Sequence, residues 1–430
     1  MTVPAPDIGL ATTLFARLRE LAFDGAGITR DTYGAGEQAA HDLMAATAHA
    51  LGLEVRTDAA LNLYLTLPGR DRALPAVMTG SHLDSVPLGG NYDGAAGVVA
   101  GLAVLAGWRA AGQVPQHDVT VMSIRAEESA WFPVSYIGSK AAFGLLPAEA
   151  LSACRFDTGQ PLREHLSRHG GRPDDVARGV ASLRAEAIDC FVELHIEQGP
   201  VLLGDGHAMG VVTGICGSRR YRRARALGAY AHSGATPRLH RRDAVAATAA
   251  LIHGAQQDWA ALEAAGHELT LTFGQIDTDA HQSDLSKVAG EVAFCVDIRS
   301  RSHATLAAMD DRLQAAAAAL QASHGVVFDF GVRSGSEPAE MNAALRQALS
   351  QAAAEQGSPA PALPSGAGHD SATFANAGVP SAMLFVRNAH GSHNPDEAMA
   401  TADFAAATTV LGTVLGQRAG LSITSALPAR

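Results

Sequence analysis

The chain reads as an α/β protein with a mostly parallel, mixed sheet and a small α+β unit inserted into it. Strand-like apolar runs alternate with helix-like stretches from Leu53 to Ala126, and the alternation resumes at Ala339. Strands joined by helices imply βα units and parallel pairing. Between Ser218 and about Gly331 the order becomes strand, helix, strand, strand, helix, strand, which predicts a four-stranded sheet with two helices. At 430 residues, two or three domains are expected. The predicted division is 1–213 and 333–430 for the main unit, with 214–332 as the insert.

The elements follow in order. Leu10, Leu14, Leu18 and Leu21 recur at helical spacing, so Ile8 to Leu53 is read as helical, interrupted by D-T-Y-G-A-G-E at Asp31 to Glu37. Two strands about a turn near Asp58 end at Pro68-Gly69, and Ala76 to Thr79 is a third. A helix runs from after Asp93 to about Ala111, and D-V-T-V-M-S-I-R-A from Asp118 is a strand. Ser129 to Asp189 suggests a Trp-Phe loop and two helices before the strand Cys190 to His195. Inside the insert, strands are expected at Tyr221 to Ala229, Glu268 to Ile276, Glu291 to Arg299 and Val326 to Val332. Its helices are Asp243 to Ala264 and His303 to Ser323. Beyond it lie a helix from Ala339 to Gly357, a strand from Pro380 to Val386 and a last helix from Ala400.

Composition narrows the function. Apolar residues make up 47%, ample for packed cores, and a net charge of −11 argues against a general nucleic-acid binder. The longest apolar stretch, near Val98 to Leu105, is too short to span a bilayer, and the first residues carry no secretory pattern. Four cysteines with no C-x-x-C spacing read as reduced thiols of a cytoplasmic protein.

Chemistry-bearing residues collect at the ends of the expected strands. V-M-T-G-S-H-L-D-S-V-P-L-G-G-N-Y-D-G-A-A-G delivers His82, Asp84 and Asp93. Imidazole and carboxylate are ligands for zinc, manganese or cobalt, and a further carboxylate such as Asp84 would hold the His82 tautomer. The same residues alone also fit a satisfied histidine beside a turn aspartate. Glu127 and Glu128 follow the next strand and, on an extended chain, point to opposite sides. One could bind metal while the other faces substrate as a base, or both could be a solvated loop pair. His195 ends another strand before Gln198-Gly199-Pro200, and His393 precedes Asn394-Pro395. Ligands of open α/β sheets bind at the carboxyl ends of strands, so these residues could converge. In the insert, A-H-S-G-A-T-P carries His232, and Arg299 could take a carboxylate or pair with Asp297. S-G-A-G-H-D-S, with Gly368 and His369, lacks the lysine of a phosphate-binding loop.

T-G-S-H-L-D-S-V, Y-D-G-A-A-G-V, the Glu127-Glu128 pair, H-I-E-Q-G-P, A-H-S-G-A-T-P, D-I-R-S, S-G-A-G-H-D-S and S-H-N-P stand in one order over nearly the whole chain. In that order they resemble the hydantoinase/carbamoylase branch of the M20 metallopeptidase family, which includes N-carbamoyl-L-amino acid hydrolases and allantoate amidohydrolases. The resemblance implies a metallopeptidase-like catalytic domain and two divalent ions per subunit, zinc, manganese or cobalt. One ion would take His82, Asp93 and His195, and the other Asp93, Glu128 and His393, with Asp84 in support and Glu127 as general base. Gln198 and His232 would contact the ureido or amide group, His232 from the same subunit or from a partner subunit's copy. Arg299, with Gly368 and His369, would hold the substrate carboxylate. The insert would be a lid and the interface of a homodimer. The implied reaction is hydrolysis of N-carbamoyl-L-amino acids or related ureido acids, with an N-acyl-amino acid hydrolase as the alternative and a non-enzymatic binding relative as a third class. Relatives often carry N-x-I-P-G-E-V where this chain has S-K-V-A-G-E-V, and the loop from Trp131 to Ser139 is more aromatic than a small carbamoyl substrate calls for. That loop is therefore expected to shape specificity.

Overall fold

The computed structural model describes residues 3–421. It divides into two compact units, one holding the chain up to Gly214 and from Glu340 onward, the other Ile215–Ala339.

The first unit is organised on a nine-stranded mixed sheet. Its strands lie in the order Glu54–Thr57, Leu63–Leu67, Val119–Ile124, Ala76–His82, Ile188–Ile196, Ser381–Val386, Met209–Ile215 and Ala339–Glu340, and Ala362–Ser365 pairs onto Met209–Ile215. Val119–Ile124, Ala76–His82, Ile188–Ile196 and Ser381–Val386 run parallel, while their flanking neighbours are antiparallel. These parallel strands are buried along nearly their whole length, as continuous apolar runs between two covered faces require. The helix Ala95–Ala110 is buried at almost every position. It comes close to the sheet because Gly97 has no side chain: a Cβ there would lie 2.3 Å from the Leu194 carbonyl oxygen. Helices Ile8–Ala22 and Thr401–Arg418 pack against it in turn. All parallel strands deliver their carboxyl ends to the same edge, so His82 and the segments after Ile124, Ile196 and Val386 emerge there.

The second unit holds an antiparallel sheet with helices Ala244–Ala264 and His303–His324 packed on its core. Among the described residues that sheet has six strands where the sequence predicts four. Two of the four expected rows are each broken in two. Thr270–Thr272 and Ile276–Thr278 both pair with Glu291–Ser300, and Val327–Asp329 and Arg333–Ser336 both pair with Gly217–Leu227. Gly331, at φ +63°, turns the chain between the last two. Because Arg333–Ser336 continues this sheet, the unit extends to Ala339 rather than to 332. A separate two-stranded ribbon joins Ala231–His232 to Lys287–Val288.

Smaller departures are local. The helix expected from Ala339 begins at Ala343, where Asn342 accepts from the Ala344 and Leu345 amides. The region after Ser129 forms short helices at Ile137–Ala142, Leu162–Arg168 and Pro173–Ala177. Among the described residues no helix is long and apolar enough to cross a membrane.

Candidate metal centre

His82 ends its strand, and its Nδ1 lies 3.0 Å from the carbonyl oxygen of Asp84. His195 Nδ1 lies 2.9 Å from the Ile196 carbonyl oxygen. A carbonyl oxygen only accepts, so each ring places its proton on Nδ1 and turns the Nε2 lone pair inward. The two lone pairs meet Asp93: its Oδ1 is 3.2 Å from His195 Nε2 and 3.7 Å from His82 Nε2. That oxygen is buried and receives no hydrogen bond among the described residues. His195 Nε2 also accepts from the Gly94 amide at 3.2 Å, and the two imidazole nitrogens with the buried carboxylate oxygen make a donor set that fits a cation.

The second group shares Asp93. His393 Nε2 lies 3.4 Å from Asp93 Oδ2 and 3.1 Å from Glu128 Oε1. Both sets, His82 with Asp93 and His195, and Asp93 with Glu128 and His393, bring their donor atoms within 4.8 Å of one another, as metal ligands must be. The donor chemistry of imidazole and carboxylate fits zinc, manganese or cobalt. Electrostatics point the same way. Burial alone would depress His82, but Asp84, Glu127 and Asp93 raise it well above the usual imidazole range. His195 is raised by Asp93 and Glu193 against its own burial. Glu128 hydrogen-bonds His393 and raises it to about 9. Burial works to raise the Asp93 carboxyl, yet the three histidines, led by His195, hold it far below the usual range.

Supporting groups fix this geometry. Asp84 is fully buried and accepts from the backbone amides of Glu127 and Glu128, both at 3.1 Å, and from Thr32 Oγ1 at 2.6 Å. Gly94, next to Asp93, is at φ +65°, and a Cβ there would sit 2.5 Å from the His82 ring, so only glycine fits. Non-glycine residues in the left-handed region gather here: Ala126 at φ +58°, Gln198 at +62° and His393 at +61°. Such strain persists where the surroundings over-determine it and is concentrated at functional sites. Glu127 is buried, and burial first, then Glu128, Asp370 and Asp84, raises its carboxyl well above the usual range.

Gln198 donates Nε2 to Asp93 Oδ2 at 2.8 Å, while its Oε1 is buried without a donor. His369 places Nε2 2.9 Å from Ser365 Oγ and sets its ring edge-on to His195 at 4.4 Å. Gly368 lies so close to Tyr136 that a Cβ would fall 1.7 Å from the phenolic oxygen. His82, Asp84, Asp93, Glu127, Glu128, His195, Gln198, Gly368, His369 and His393 thus all belong to the first unit. His232 and Arg299 belong to the second. There His232 Nδ1 accepts from the Gly234 and Ala235 amides, and Arg299 pairs with Asp297 at 2.9 Å.

The aromatic loop corrects one expectation. Trp131 and Phe132 are buried in a core with Tyr33, Ile137 and Leu162, and Trp131 Nε1 donates to the Ser85 carbonyl. These two rings pack the protein, while Tyr136 of the same loop lies against Gly368. Sequence reasoning also missed several buried ionic groups. Glu397 Oε1 accepts from the Tyr92 and Asp93 amides, and Glu193 accepts from Ser81 Oγ and from Ser371. Arg30 is fully buried beside Leu83 and Asn91. The one available signal was Glu193 itself, an acid inside the otherwise apolar run C-F-V-E-L-H.

Comparison with known proteins identifies the family. Residues 78–417 match the model of peptidase family M20/M25/M40. An N-carbamoyl-L-amino acid amidohydrolase of Geobacillus stearothermophilus is 35% identical over 93% of this chain and 96% of its own. The allantoate amidohydrolase of Escherichia coli is 32% identical over 86% and 88%. The crystal structure of a hydantoinase/carbamoylase family amidase from Burkholderia ambifaria superposes with a TM-score of 0.78 at 30% identity, covering 99% of this chain and 100% of that one. The chain therefore belongs to peptidase family M20/M25/M40 and, within it, to the hydantoinase/carbamoylase branch of hydrolases that act on carbon–nitrogen bonds of linear amides.

Proposed function

We propose that the protein hydrolyses the ureido carbon–nitrogen bond of N-carbamoyl-L-amino acids or closely related ureido acids. In this reading His82, Asp93 and His195 hold one divalent ion, and Asp93, Glu128 and His393 hold a second. The observation that carries it is the meeting of both ligand groups on the two oxygens of Asp93. Bound there, such ions lower the pKa of water and polarise the scissile carbonyl. The chain's own residues supply the rest. Glu127 takes the proton from the attacking water and passes it to the leaving nitrogen. Asp84 holds the Glu127 and Glu128 amides and so aims both side chains.

A ureido group suits this site better than an acyl group because its terminal NH2 offers a donor. Gln198 Oε1 is the buried acceptor that lacks one. Substrate contacts from His232 and Arg299, and the substrate carboxylate near Gly368 and His369, are part of the same proposal. So is pairing of two copies through the second unit.

The test is a substrate panel on protein loaded with manganese, cobalt or zinc. It should hold N-carbamoyl amino acids, allantoate, β-ureidopropionate and N-acyl amino acids with aromatic acyl groups. Ammonia and carbon dioxide released from a ureido acid support the reading. Release of an intact carboxylic acid from the N-acyl compounds alone would replace it with an N-acyl-amino acid hydrolase.

A further inference from the structure

Glu37 is a fully buried carboxylate on the helix Ala35–Ala50, remote in sequence from every residue of the metal centre. Its Oε2 accepts from the Tyr33 amide at 2.6 Å, one residue before the Gly34 N-cap, close to the way an acid at the third helical position reaches back to cap its helix. Two further contacts have no place in helix capping. Oε1 accepts from the Ala126 amide at 2.9 Å, and Oε2 also accepts from Arg125 Nη1 at 3.0 Å. Arg125 is itself 2% exposed and is tied down by Gln38 Oε1 and the Leu61 carbonyl.

Both amides that Glu37 binds belong to strained residues. Tyr33 is at φ +47° and Ala126 at φ +58°, a region that costs energy for any residue with a side chain. Each is the direct neighbour of a partner of Asp84. Thr32, before Tyr33, donates Oγ1 to Asp84, and Glu127, after Ala126, donates its amide to it. Two buried carboxylates therefore grip the same two turns side by side.

We propose that Glu37, braced by Arg125, is a positioning residue that holds Ala126 in its left-handed conformation and so aims the Glu127-Glu128 pair at the metal centre. Glu37 touches neither substrate nor ion and acts through the backbone. The inference rests on the proposed roles of Glu127 and Glu128.

The test uses the full chain and two readouts: manganese binding by calorimetry and kcat with an N-carbamoyl amino acid. Glu37→Gln keeps the volume but sets an amide against Arg125 and the two N–H groups. It is expected to weaken manganese binding or lower kcat by about tenfold to a hundredfold, the range for groups that orient metal ligands, with KM little changed. Adding Ala126→Gly should recover most of that loss, because glycine adopts the left-handed conformation unaided. Should Glu37→Gln not fold, Glu37→Asp, one methylene too short to serve both amides, takes its place with the same expected rescue. Wild-type binding and kcat in the Glu37 variant overturn the inference. So does a loss that Ala126→Gly leaves untouched, which would make Glu37 a structural group only. If the wild type turns over no ureido substrate, the proposed function fails, while the manganese titration still decides the role of Glu37.

Discussion

Gln198 donates its side-chain amide to Asp93 Oδ2 at 2.8 Å, and the acceptor nature of that carboxylate decides which end of the amide faces elsewhere. The free end is Oε1, buried without a donor. Gln198→Leu removes this acceptor. Its kcat/KM for an N-carbamoyl amino acid should fall by about tenfold to a hundredfold more than for the matching N-acetyl compound. Taking the ratio cancels any effect transmitted through Asp93. An equal loss on both substrates would deny Gln198 a part in ureido recognition.

Asp93 offers one oxygen to each ligand group. Asp93→Ala should strip metal from both, leaving each group two donors where stable sites supply three or more. Elemental analysis after gel filtration checks this. Full occupancy with normal turnover would rule out a shared ligand.

Glu127 belongs to neither ligand group and stands 4.0 Å from His82 Nε2. Glu127→Gln should fold and keep its metal while kcat falls by roughly 10² to 10⁴, the usual contribution of a general acid–base group. A variant that works at the wild-type rate would remove Glu127 from proton transfer.

His41 is 3% exposed, neither ring nitrogen has a partner, and burial, then Arg125, lowers its pKa well below 6.5. The folded state thus keeps His41 neutral while the unfolded chain takes up a proton as pH falls through 6.5. Below that value the unfolded state binds more protons, so His41 withdraws stability as the solution is acidified. His41→Leu should flatten this part of the profile, measured by urea unfolding at steps between pH 7 and pH 5. An unchanged slope would assign acid sensitivity elsewhere.

The residues of the candidate metal centre were legible because strand ends punctuated by glycine and proline leave a local signature, and histidines and acids recur there in a fixed order. Glu37 was not. An acid in the first turn of a helix reads as a cap or a solvated residue, and only the tertiary fold brings Ala126 to it. Glu397 is hidden in the same way, since its partners Tyr92 and Asp93 lie some 300 residues back along the chain. The aromatic loop misled in the opposite direction. Trp131 and Phe132 looked like a specificity surface, but large rings beside a short helical region close a small core of their own. In the second unit the expected rows were found while their breaks were not, because a glycine such as Gly331 marks a turn only once its φ is known.

The placement of donors on parallel strands has a consequence for how the protein comes into being. His82, Asp93 and His195 lie on or beside the neighbouring strands Ala76–His82 and Ile188–Ile196, so a growing chain carries that whole set before the second unit is made. His393 emerges only after that unit and after Ser381–Val386. Under the proposed ligand sets, one ion would find its donors on a nascent chain, while the other would wait until His393 has left the ribosome. Metal supply would then act on two different species, a chain that has yet to deliver His393 and one that has delivered it.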